Sequence, residues 1–90
     1  TETSDERLKS DIQPITNALD IVNSIEGVGF KWKDSGKPSF GVIAQQLEEH
    51  IPALVDTIDG KKTVNYDGII AFLIEAVKEL NDRVKQLEGK

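Results

Sequence analysis

A heptad repeat near the end of the chain constrains its fold more than any other feature. Over residues 66–88 apolar side chains recur at alternating steps of three and four. The two seam positions are filled by Ile70, Val77 and Val84, and by Tyr66, Leu73, Leu80 and Leu87. This pattern predicts a long helix over 66–88 whose apolar seam pairs with other helices in a coiled coil. The alternative is an amphipathic helix that docks on its own domain.

The two halves of this helix differ in composition. The first half has further apolar residues off the seam, Ile69, Phe72, Ile74 and Ala76, whereas "KELNDRVKQLEGK" is polar there. We therefore expect the first half to pack on the domain body too and the second half to project. Glu79 and Arg83 are spaced for an ion pair along the helix. β-branched residues at one seam position and Leu at the other favour two strands, a preference that neighbouring domains can override.

The preceding residues predict short helices and two β-hairpins. We expect a helix over 13–26, strands at "FKWK" and "FGVIA", and a helix over 44–50 that ends before Pro52. A second hairpin joins "ALVDTI" to "KTVNY" through Asp59-Gly60, a pair suited to a tight turn. Asp67 is expected to cap the long helix. The predicted fold class is α+β, with the helices and hairpins packed on the C-terminal helix.

The apolar faces of these strands and helices must be buried together in one hydrophobic core. We expect the first helix to contribute to this core together with Phe30, Trp32, Val42, Ile43, Leu47, Leu54, Val55 and Tyr66.

Composition limits the partners and the chemistry. Ninety residues allow one small domain, and a net charge of −5 disfavours nucleic acid and anionic membranes. No apolar run is long enough to span a bilayer. The chain has no Cys and one His, so we expect neither a disulfide framework nor a metal site or cofactor. It also has no Met, and we expect it to derive from a longer precursor.

The stretch "TSDERLKSD", residues 3–11, has two interpretations. In the first, Thr3 is a helix N-cap and Glu6 completes a capping box. In the second, Ser4 is a nucleophile whose proton is taken by neutral Lys9. On a regular helix these two side chains would point about 140° apart. The second interpretation therefore requires Ser4 to precede the helix, or Lys9 to reach the serine of another subunit.

Several separated motifs carry a family resemblance along nearly the whole chain. They are "SDERLK" at 4–9, "GVIAQ" at 41–45 followed by Pro52 and Val55, and Tyr66 leading into "AVKEL" at 76–80. In this order they resemble the intramolecular chaperone and auto-processing domain at the C-terminus of phage endosialidases, tailspikes and tail fibres.

The resemblance implies a homotrimer that helps an upstream fibre segment fold and then cuts itself off. It implies a catalytic Ser4 and Lys9 dyad, cleavage between Thr3 and Ser4, and no turnover on outside substrates. The single domain would comprise an upstream remnant at 1–3, a body at 4–65 and a coiled-coil helix at 66–88. The expected trimer interface is Ile70, Leu73, Val77, Leu80, Val84 and Leu87. Assembly would occur in the infected host cytoplasm, and cleavage would release the domain from the virion fibre. The alternative is a trimerisation cap that stays attached.

Overall fold

A computed structural model describes residues 2–89, which form three helices, two hairpins and two short 3-10 turns. The helices are α1 (Ala18–Asn23), α2 (Ala44–His50) and α3 (Tyr66–Glu88). The strands are β1 (Val28–Lys31), β2 (Pro38–Gly41), β3 (Val55–Ile58) and β4 (Lys61–Val64). The 3-10 turns span Glu6–Leu8 and Pro52–Leu54. The predicted α+β class is confirmed.

Each hairpin is an antiparallel pair, and the two do not join into one sheet within the described residues. In the first, Val28 pairs with Gly41 across β1 and β2. In the second, Val55 pairs with Val64. The turn at Asp59-Gly60 has φ of 52° and 77°, so both residues adopt the left-handed conformation of a tight hairpin turn. The sequence prediction for this turn is confirmed.

The first helix is shorter than expected. The prediction of a helix over 13–26 is wrong at both ends, because α1 begins at Ala18 and ends at Asn23. Asn17, directly before the helix, is left-handed, with φ of 59°. The Asn17 side chain does not cap the helix. Instead, the Ala18 N–H donates to Glu79 Oε2 of α3 at 2.7 Å. A carboxylate from a distant helix therefore defines where α1 starts.

The long helix has the expected bounds but different polar partners. Its N-cap is Asn65, whose side-chain oxygen accepts from the Gly68 N–H at 3.2 Å, so the prediction of Asp67 as the cap is wrong. Arg83 lies 3.8 Å from Asp20 of α1. The expected pairing of Glu79 with Arg83 along the helix is replaced by contacts that tie α3 to α1.

The buried side chains form two small clusters. One comprises Ala18, Leu19 and Ala76 where α1 crosses α3, and the other comprises Leu47, Ile51 and Val55 under α2. Of the predicted core, Leu47 and Val55 are buried, and Phe30, Val42 and Leu54 are partly buried. Trp32, Ile43 and Tyr66 are 55%, 38% and 49% exposed, which contradicts their assignment to the core of the single chain. Trp32 lies just past the end of β1, where the strand alternation that predicted its burial has stopped.

Candidate functional site

Ser4 and Lys9 meet within one chain. Lys9 Nζ donates to Ser4 Oγ at 2.7 Å. That separation falls within the range of about 2.6–3.2 Å over which a proton can pass directly between two groups. The structure therefore brings together the two residues singled out in "SDERLK".

A short 3-10 turn makes this contact geometrically possible. Ser4 precedes the turn Glu6–Leu8 and Lys9 follows it. The turn is closed by hydrogen bonds from the Leu8 N–H to the Asp5 carbonyl at 3.1 Å and from the Lys9 N–H to the Glu6 carbonyl at 3.0 Å. A 3-10 turn is tighter than an α-helix, and here it folds the chain back so that the side chains at either end converge.

Asp5 holds the turn and replaces the predicted cap. Its carboxylate accepts from the Arg7 N–H at 2.9 Å and from the Arg7 guanidinium at 3.1 and 2.8 Å. These contacts lower the pKa of Asp5, the guanidinium contributing more than the backbone N–H. The expected capping box of Thr3 and Glu6 is therefore wrong. The signal that identifies Asp5 was in the sequence, since Asp is as good an N-cap as Thr.

The segment that carries the dyad is open to solvent. Every residue from Glu2 to Pro14 is exposed, including the apolar Leu8 and Ile12 at 76% and 63%. The contact between Lys9 Nζ and Ser4 Oγ is therefore not shielded from water by its own chain.

Glu2, which precedes Thr3 of the expected cleavage site, lies at the base of α3. Glu2 shares a hydrogen bond with Asp67, and this contact, with the like charge of the second carboxyl, raises the pKa of Glu2. The start of the long helix and the start of the dyad segment therefore lie at the same end of the molecule. Sequence reasoning missed this contact, because nothing in the spacing of residues 2 and 67 links them.

The helix α3 has two apolar faces, of which its own domain covers one. Ala76 belongs to the cluster with Ala18 and Leu19, and Ile69 and Phe72 pack against the cluster under α2. The six seam residues that were expected to form an interface are all exposed: Ile70 by 53%, Leu73 by 43%, Val77 by 64%, Leu80 by 50%, Val84 by 43% and Leu87 by 68%. A contiguous exposed apolar stripe of this kind marks an interaction surface.

Residues 2–89 contain no group of three or more His, Cys, Asp or Glu side chains arranged to hold a metal ion. None of their helices is both long and apolar enough to cross a bilayer.

Comparison with known proteins gives a consistent family. The sequence pattern of the chaperone of endosialidase family matches residues 4–56, and so begins at Ser4. The chain is 41% identical over 97 residues to the long tail fiber protein Gp37 of Enterobacteria phage K3, and equally to that of Enterobacteria phage T2. It is 35% identical over 102 residues to the long tail fiber protein Gp37 of Salmonella phage S16.

These alignments cover 97%, 97% and 96% of this chain, but only 8%, 7% and 14% of the three fibre proteins. The chain is thus similar to one small part of each fibre protein. Over more than half of its length, and with the serine and lysine of "SDERLK" in hydrogen-bond contact, the chain belongs to the chaperone of endosialidase family.

Proposed function

We propose that this chain is the intramolecular chaperone of a phage tail fibre, which assembles as a homotrimer and releases itself by cleaving the peptide bond between Thr3 and Ser4. The observation that carries the proposal is the 2.7 Å contact between Lys9 Nζ and Ser4 Oγ. Membership of the family and similarity to the tail fibre proteins support the fibre as the client. The proposed setting is the infected host cell during virion assembly.

In the proposed reaction Ser4 is the nucleophile and Lys9 the base. Neutral Lys9 takes the hydroxyl proton while Ser4 Oγ attacks the carbonyl carbon of Thr3 through a five-membered ring. The C–N bond breaks, the α-amine of Ser4 accepts a proton, and Thr3 is left as an ester on Oγ. Water hydrolyses the ester to give a Thr3 carboxylate and a free Ser4 hydroxyl. The bond connectivity places the nucleophile next to its target, which removes most of the entropic cost of approach.

Assembly supplies what the single chain lacks. The exposed seam of α3 provides a surface on which three helices can associate, and its β-branched and Leu positions suit a coiled coil. Once the chains associate, neighbouring subunits can cover the exposed dyad segment and favour the neutral form of Lys9. Cleavage would then follow only from correct trimerisation. A non-cleaving trimerisation cap would use the same seam and leave the dyad without a role.

Variants of the dyad test the reaction in a fusion that carries a fibre segment ahead of residue 1. Ser4→Ala removes the nucleophile and Lys9→Ala removes the base, so both should leave a full-length trimer. Lys9→Arg should fail as well, because a guanidinium stays protonated. Intact-mass spectrometry reads the outcome. Normal processing of Ser4→Ala would contradict the mechanism, and an uncleaved wild type would favour the attached cap.

A seam variant tests the assembly. Leu80→Asp places an unpaired charge between the helices and should dissociate the trimer. Asn81→Asp adds the same charge at the neighbouring position outside the seam and is the matched control. Sedimentation at micromolar concentration should give monomers for the first variant and trimers for the second. Equal masses for the two variants would exclude the seam as the interface.

A further inference from the structure

A groove between the two hairpins concentrates positive charge on an acidic chain. It has a volume of about 890 Å³ and is lined by the end of β1 with the turn after it, residues 42–45 at the start of α2, the β4 strand and the start of α3. Four of the eleven basic residues line it, Lys31, Lys33, Lys61 and Lys62, but only one of the sixteen acidic residues does. The rest of the surface is correspondingly more acidic than the net charge of −5 indicates.

Most of this charge is available to a partner. Lys62 is paired with Glu48 at 3.0 Å, whereas Lys31, Lys33 and Lys61 take part in no ion pair within residues 2–89. All three are exposed.

Aromatic side chains give the groove an apolar wall beside the lysines. Trp32 is 55% exposed and stands edge-on to Phe30, with 5.0 Å between the ring centroids. Tyr66, at 49% exposure, lines the groove at the start of α3, and its hydroxyl oxygen accepts a hydrogen bond from the Val42 N–H at 3.2 Å. The groove therefore fits a polypeptide that combines carboxylates with large apolar side chains.

The dyad segment, residues 2–12, has that chemistry. It contains the exposed Leu8 and Ile12, and four acids against two bases: Glu2, Asp5, Glu6 and Asp11 against Arg7 and Lys9. None of the residues that line the groove comes from this segment of the same chain.

The segment and the groove also lie at the same end of α3. Glu2 contacts Asp67, and the neighbouring Tyr66 lines the groove. If three α3 helices join along their seams, their first turns come together, and the segment of one subunit comes close to the groove of the next. A cyclic trimer is closed by contacts between two different, complementary patches, which is what an acidic segment and a basic groove provide.

We propose that in the trimer the 2–12 segment of each subunit docks in the lysine and aromatic groove of the neighbouring subunit, and that this groove makes the dyad competent. The inference rests on the proposed function and names the partner surface on which cleavage depends. Docking would cover Lys9 and place it near Lys31 and Lys33. A lysine that is desolvated beside other ammonium groups loses its proton more readily, which is how enzymes activate lysine bases. The groove lysines are thus positioning residues that act through Lys9.

A charge reversal in the groove tests this inference in the fusion protein. Lys31→Glu/Lys33→Glu should leave the trimer intact, slow cleavage at least tenfold, and move the rise of the cleavage rate to higher pH. Lys37→Glu/Lys85→Glu makes the same change in net charge at exposed positions outside the groove, and should be cleaved like the wild type. A groove variant that is cleaved at the wild-type rate with an unchanged pH profile would overturn the proposal.

Mixed trimers establish which subunit supplies the groove. The groove variant keeps its dyad, and the Ser4→Ala chain keeps its groove, so neither is cleaved efficiently alone. In trimers formed from equal amounts of both chains, the subunit whose groove receives the segment of a groove-variant chain has an intact groove in roughly half of the cases. These groove-variant chains should be cleaved at the wild-type rate. Absence of rescue would overturn docking between subunits.

Cross-linking reports the docking without relying on cleavage. Because the chain contains no Cys, Leu8→Cys/Trp32→Cys in the Ser4→Ala background offers only two thiols to a short bismaleimide. Covalent dimers and trimers are expected. Leu8→Cys/Phe40→Cys is the control, since Phe40 pairs with Gly29 on the opposite face of the hairpin from Phe30. Equal cross-linking of both variants would contradict the assigned surface. Cleavage of Ser4→Ala would instead defeat the proposed reaction and leave the docking to be judged by these cross-links.

Discussion

The carboxylate of Glu79 is the most specific connection between the long helix and the body, and its removal should be costly. Glu79 Oε2 accepts from the Ala18 N–H at 2.7 Å in a partly buried position, and this is a charge-assisted bond to the first amide of α1. A hydrogen bond to a charged group contributes about 1.5–3 kcal/mol, and partial exposure places this one near the lower end. Glu79→Ala should therefore reduce the free energy of unfolding by about 1.5–2 kcal/mol.

Arg83→Ala is the matched control on the same helix. Arg83 lies 3.8 Å from Asp20, and the two side chains are 57% and 59% exposed. Such a pair contributes less than about 0.5 kcal/mol. In urea, with a slope of about 1.5 kcal/mol per M, Glu79→Ala should lower the unfolding midpoint by about 1 M and Arg83→Ala by about 0.3 M at most.

The assay is circular dichroism at one fixed protein concentration, because dissociation of an oligomer makes the midpoint concentration-dependent. Hydrogen exchange of the Ala18 amide gives a local readout, and Glu79→Ala should accelerate it most. Glu79→Gln keeps an acceptor oxygen and should have an intermediate effect. If Glu79→Ala shifted the midpoint no further than Arg83→Ala, the carboxylate would not define the start of α1.

Two further predictions concern close packing and pH. A methyl group at Gly68 would collide with the end of the Leu54 side chain, which must move aside at a cost of about 1–3 kcal/mol. Ala favours the helix over Gly by about 1 kcal/mol, so Gly68→Ala should destabilise the domain by about 1 kcal/mol net. Gly27→Ala, with open space around it, should be close to neutral in the same urea titration. Arg7 lowers the pKa of Asp5, so the ionised Asp5 carboxylate should stabilise the 3-10 turn at pH values above 3.8, the ordinary pKa of Asp. This stabilisation should be lost as the pH falls through the lowered pKa of Asp5. An NMR titration should find the Asp5 pKa below 3.8, and Arg7→Gln should return it towards that value; an equal Asp5 pKa in both proteins would contradict the contact.

The sequence predicted best those elements whose signals are local or repeated. The helix over 66–88 follows from a periodicity sustained for three repeats, and α2 ends where Pro52 forbids a further turn. The turn at Asp59-Gly60 depends on the conformational tolerance of those two residues alone.

Errors arose where a distant residue decides the local structure. Apolar spacing placed the start of the first helix at residue 13, but the start of α1 is set by Glu79, 61 positions from Ala18. The burial expected for Trp32 assumed that the strand alternation continues, whereas β1 ends at Lys31. Positions of this kind depend on tertiary contacts that no local pattern contains.

The candidate site was predicted in part: its two residues were identified from the sequence, but their contact was not. Five residues separate Ser4 from Lys9, and that spacing left open whether they meet within a chain or between chains. A three-residue 3-10 turn brings them together within one chain. The groove between the hairpins was not foreseen, because its lysines come from segments 30 residues apart in the sequence, near Lys31 and Lys61.

The most direct test of the central claim is the intact mass of both fragments released from the wild-type fusion after assembly. The proposed reaction predicts an upstream fragment that ends in an unmodified Thr3 carboxylate and a domain that begins with a free amine on Ser4, produced by trimers and absent from Leu80→Asp monomers. Masses that place the cut at another bond, or cleavage that proceeds equally in the monomers, would contradict the account.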